Sequence, residues 1–68
     1  MTKAELINME YNVSCRVMRE AAIGHVSEMR AINHKEGQGS WAIAEAYARL
    51  HSTAQAEAIG WASRAGEG

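Results

Sequence analysis

The chain has 68 residues, one cysteine, no proline, no phenylalanine and a formal net charge of −1. That length admits one domain with a thin core of its own, because a chain of about 60 residues buries only about 60% of the surface it exposes when unfolded. Cys15 alone excludes an internal disulfide, one cysteine and three scattered histidines fall short of a closed structural zinc set, and the charge balance disfavours a general DNA or RNA binder, which needs a basic excess.

The first helix is expected over about residues 3–34. Thr2 can cap it, and Glu5 three residues later completes a capping box. Its interior lacks a strong stop until His34-Lys35-Glu36-Gly37, where Gly37 can take the left-handed conformation that ends a helix. Residues 35–40 form the turn, in which Gly37-Gln38-Gly39 supplies flexibility and Ser40 the next N-cap. The second helix follows over about 41–65 and ends at Gly66. Thirteen residues are alanine and only fourteen are Val, Ile, Leu or Met. Alanine favours helix and buries little area, so the composition speaks for close-packed helices more than for a large core.

A short turn between two long helices gives an antiparallel hairpin. Helical periodicity assigns one stripe to Ile7, Tyr11, Cys15, Met18, Ala22, Val26 and Met29, edged by His25 and Ile32. The matching stripe carries Ile43, Tyr47, Leu50, Ala54, Ala58, Trp61 and Ala65. In this register Tyr47 faces Val26, and Trp61 faces the Tyr11 to Cys15 region. A second apolar line runs through Leu6, Met9, Val13, Val17, Gly24 and Ala31, and a second small-residue line through Ala42, Ala46, Thr53, Ala56 and Gly60. One hairpin cannot bury both faces of both helices. The expected architecture is therefore all-α: one domain spanning 1–68, an antiparallel two-helix hairpin that assembles into a homo-oligomeric helical bundle.

Catalytic chemistry is poorly supplied. The chain has no aspartate, and its eight glutamates are spread along it. His25 and His51 approach across the hairpin near Glu28, but the spacing matches no metal-ligand pattern. No catalytic set, metal or cofactor is expected. Cys15 reads as a small buried hydrophobe, and Arg16, Arg19 and Lys3 as a basic group near Tyr11. The turn is the richer candidate. Gly37, Gly39 and Ser40 lead into a helix N-terminus, whose free N–H groups and dipole attract anions. Arg30, His34 and Lys35 stand just before it, and Trp41 follows off the hairpin stripe, where its indole can stack on a nucleobase. These seven residues form a candidate site for a small phosphorylated ligand.

The run Leu50, Thr53, Glu57-Ala58-Ile59, Trp61-Ala62-Ser63 resembles the second helix of the phage helical-hairpin domain found in anti-CBASS and anti-Thoeris signal sponges. The family helix reads Leu, Thr three residues on, then Glu-Ala-Val-x-Trp-Ala-Asn; here Ile59 stands for Val and Ser63 for Asn. The resemblance covers about residues 50–63. It implies a small oligomeric helical protein that captures a cyclic oligonucleotide or a related immune signal between subunits without cleaving it. The family's binding residues lie outside the matched segment, so the candidate site rests on the turn. The reading is a non-enzymatic anti-defence sponge. The alternative is a small helical inhibitor or adaptor that docks an apolar helix face on a host protein; a hairpin dimer on a nucleic-acid polymer is disfavoured by charge. The start Met1-Thr2-Lys3-Ala4-Glu5 has no apolar run behind its charge, and no stretch is apolar for the ~18 residues that would span a membrane. With a free cysteine, this points to a reducing cytoplasm, that of the host cell if the protein is phage-encoded.

Overall fold

The computed structural model describes residues 1–34 and 39–67, without the side chain of Glu67. Two helices, α1 (Lys3–Asn33) and α2 (Trp41–Glu67), pack antiparallel into a rod of 50 × 17 × 13 Å. Its radius of gyration is 15.5 Å, against about 11 Å for a compact domain of this length. Thr2 caps α1 by accepting from the Glu5 amide at 3.1 Å. The Thr2 hydroxyl in turn donates to the Glu5 carboxylate at 3.2 Å, so the box closes through side chains. α1 ends at Asn33, where the His34 amide bonds back to the Arg30 carbonyl at 3.0 Å. α2 runs two residues past the expected end at Ala65, through Gly66. The expected stop at Gly37 lies outside the described residues.

The helices meet along a seam of small residues. Among the described residues Ala21, Ala44, Ala54, Ala58 and Ser14 are buried, and no large side chain is fully buried. From the N-cap Ser40 along α2 the buried and half-buried positions are Ser40, Ala44, Tyr47, His51, Ala54, Ala58 and Trp61, alternately four and three residues apart. On α1 they include Ile7, Ser14, Ala21 and Glu28, with Met18, His25 and Ile32 between them. This is a seven-residue repeat on both helices, the pattern of a left-handed coiled pair.

The seam corrects the expected stripes by about one position. Ser14 replaces Cys15 and Ala21 replaces Ala22 at the contact; Ala44 and His51 replace Ile43 and Leu50, while Val26 and Ala65 are exposed. Tyr47, Ala54, Ala58 and Trp61 hold their expected places. The cause is backbone approach. Alanine, serine and glycine let the helices close together, and the larger residues move to the flanks. Gly24 marks a close approach: a Cβ there would lie 2.5 Å from Cε1 and Cζ of Tyr47. Tyr47 thus stands opposite Gly24, about half a turn from the expected Val26.

Candidate functional site

The turn end of the hairpin is held by side chains acting on the N-terminus of α2. Ser40 sits at its N-cap, and its Oγ accepts from the Ile43 amide at 3.3 Å while its carbonyl accepts from Ala44 at 3.0 Å. The Ser40 amide donates to Oε2 of Glu28 at 3.0 Å. Glu28 reaches this point from α1, and the first turn of α2 has no acidic residue of its own. The carboxylate therefore supplies the negative charge that a helix N-terminus favours. Gly39 is fixed by contact: a Cβ there would lie 2.5 Å from the Ile32 backbone nitrogen and 2.6 Å from its Cγ1.

This arrangement separates the seven candidate residues. Gly39 and Ser40 do structural work, one in close approach and one as cap. Trp41 begins α2 with 66% of its surface exposed. Arg30 and His34 are exposed on the last turn of α1 and its cap, where a basic side chain also suits the helix dipole. Lys35 and Gly37 lie outside the described residues. A phosphate approaching Ser40 would meet the Glu28 carboxylate already bonded to that amide. Glu28 is the residue sequence reasoning missed at this place. The bond to Ser40 joins residues twelve apart and has no local motif.

At the other end of the rod, the first turns of α1 and Trp61, Ala62, Arg64 and Ala65 of α2 line an open cleft with Tyr11. The Arg64 guanidinium stacks 5.1 Å from the Trp61 ring centre, a cation–π contact. The neighbouring Cys15 thiol, one turn along, holds the Tyr11 phenol above its ordinary range. Cys15 itself is half-buried on the flank of the seam. Glu45 and Arg49 pair at 3.6 Å in the open, which contributes little. Among the described residues, no group of three or more His, Cys, Asp or Glu side chains is placed to hold a metal, and no helix is long and apolar enough to cross a membrane.

Several large apolar side chains stand in solvent. Leu6, Val13, Ile43 and Leu50 are each nearly half exposed, and Ile23, Ile59 and Trp41 about two-thirds. In an antiparallel pair, like flanks of the repeat lie side by side. One face thus gathers Leu6, Val13, Val17 and Gly24 of α1 with Ile43 and Leu50 of α2. The opposite face carries Tyr11, Cys15, Ala22 and Val26 with Trp41, Ala48 and Ile59. No protein-family model, curated protein or solved structure matches the chain.

The Ser40 cap has a measurable weight. Ser40→Ala should lower stability by about 1 kcal/mol, the usual worth of an N-cap hydroxyl, read as a lower midpoint in urea with unchanged slope. Equal midpoints for the two chains would remove Ser40 from the stabilising contacts of the turn.

Proposed function

We propose that the chain is a non-enzymatic binding module: a helical hairpin that assembles with copies of itself and holds another protein on an apolar face. One observation carries this reading. Among the described residues the fully buried positions of the seam are alanine and serine, while Leu6, Val13, Ile23, Trp41, Ile43, Leu50 and Ile59 stand on its flanks in solvent. A face of this kind on so small a chain is an interaction surface. Trp41 is its best anchor, because exposed indoles that enter a partner's pocket dominate interface energetics. The cytoplasm, or that of a host cell, is where such a module would act.

The test separates the two faces. Trp41→Ala should cut capture of partner proteins from lysate at least tenfold while the mass of the assembly, read by native mass spectrometry, stays unchanged. Val13→Glu should reduce the assembly to a soluble monomer, since the opposite flank is untouched. Capture of the same proteins by Trp41→Ala and the unmodified chain would overturn the assignment of the partner face.

A second reading is favoured by Trp41 itself. Its open indole follows the turn, with Arg30 and His34 exposed on the helix before it. An indole and cations suit a base and a phosphate, so a cyclic oligonucleotide signal remains the competing ligand, as the phage-sponge resemblance implies. Native mass spectrometry with a panel of cyclic oligonucleotides decides between the two. A nucleotide retained at a fixed ratio establishes signal capture, and a bare assembly leaves the protein-binding reading in place.

A further inference from the structure

Outside the seam, α1 carries two mixed lines of charged and apolar residues. The outer line, turned away from α2, reads Arg19, Ile23, Val26 and Arg30, which lie four, three and four residues apart. All four are exposed, Ile23 by 64%, and Ile23, Val26 and Arg30 share one shallow depression. It is an apolar pair between two cations. The second line lies about a third of a turn round the helix, on the flank that also carries Leu50. It reads Glu10, Val13, Val17 and Glu20, which lie three, four and three residues apart. Glu10, Val13 and Glu20 are exposed and Val17 is half-buried. It is an apolar pair between two carboxylates.

The two lines match in length. At ~1.5 Å per residue the cations of the first stand about 16 Å apart, and the carboxylates of the second about 15 Å. Their charges are also available. Among the described residues Glu45 with Arg49 is the one ion pair, so Arg16, one turn before Glu20, does not engage it. Arg16 extends the outer line by one more cation. Glu57 of α2, level with Ser14 in the register set by Tyr47 and Gly24, adds a third carboxylate beside the flank line.

We propose that these two lines join copies of this chain head to tail. The outer line of one copy lies on the flank line of the next, with Arg19 and Arg30 against Glu10 and Glu20 and the two apolar pairs between them. Closing the apolar centre excludes water from the flanking ion pairs and so strengthens them. A two-fold contact on either face would instead set arginines against arginines or carboxylates against carboxylates, which is costly. Because the two lines lie on different faces, each copy keeps one of them free after the first contact, and association passes beyond a dimer. Trp41 lies on neither line. The inference rests on the assembly proposed above and names the surfaces that make it.

Sedimentation at rising protein concentration, with charge exchange between the lines, tests it. Species larger than a dimer should form, and raising the salt from about 50 mM to about 500 mM should weaken association about tenfold, since the pairs are screened. Arg19→Glu with Arg30→Glu should abolish association, and so should Glu10→Arg with Glu20→Arg, each with helix content unchanged by circular dichroism. The chain carrying all four substitutions has its two lines exchanged, and it should associate as the parent does. A control of equal net charge, Arg19→Glu with Glu45→Arg, should stay weakened, which separates matched lines from overall charge. A closed dimer, an assembly indifferent to salt and to these substitutions, or a folded four-fold variant that stays monomeric would show that other surfaces join the copies, while the assembly itself stands in the first two cases. If the parent chain is monomeric at every concentration and salt, this contact and the assembly fall together. Partner capture that depends on Trp41 is read separately and survives either result.

Discussion

Gly39→Ala is expected to cost about 2 to 3 kcal/mol, the upper range for forcing a methyl into a filled space. The added Cβ would lie 2.5 Å from the backbone nitrogen of Ile32 and 3.0 Å from the carbonyl carbon of Ala31. Those atoms belong to the last turns of α1 and cannot rotate away as a side chain can. Relief requires the chain entering α2 to move off α1, and that movement pulls the Ser40 amide from Glu28. A domain of this size has a stability of about 0.05–0.15 kcal/mol per residue, so the loss is a large part of the whole. It corresponds to a fall in melting temperature of roughly 10–20 °C, measured by circular dichroism at fixed protein concentration because self-association adds its own stabilisation. A melting temperature within a few degrees of the parent would show that the entry to α2 is not packed against Ile32.

The second large effect is at Gly24. Alanine there gains about 1 kcal/mol in helix propensity and loses about 1 to 3 kcal/mol to overpacking. The contact decides the sign: the new Cβ meets Cε1 and Cζ of Tyr47 at 2.5 Å and Cδ1 at 2.9 Å. Net destabilisation of up to about 2 kcal/mol is expected. The test is a double-mutant cycle. In a Tyr47→Ala background the clash is gone and only the propensity gain remains, so Gly24→Ala should become stabilising. A change of the same sign in both backgrounds would mean that the ring and the glycine do not interlock.

The helices were legible because their signals are local. Thr2 with Glu5, and Ser40 at the start of α2, each act on neighbours a few residues away. The register was legible to within about half a turn for the same reason, since a short turn leaves little freedom. The seam was harder. Periodicity ranks residues by size, and Ile43 and Leu50 outrank Ala44 and His51. Packing obeyed a different rule: the closest line of approach went to alanine, serine and glycine, and size was displaced to the flanks. The same displacement put Cys15 beside the seam while Ser14 entered it. The bond from Ser40 to Glu28 had no local signature, because a carboxylate on a helix face reads as solvated surface until its distant partner is known.

The pairing of Glu28 with Ser40 also bears on how the chain folds. These two residues are twelve apart, whereas contacts at the open end join the first turns of α1 to the last of α2. The entropy of closing a loop grows with its length, so the seam should form first at the turn and zip toward Trp61. Changes at Gly39 and Glu28 would then act mainly on the rate of folding. Changes near Ile7 and Trp61 would act mainly on the rate of unfolding. The same pair of helices would thus answer to two different clocks at its two ends.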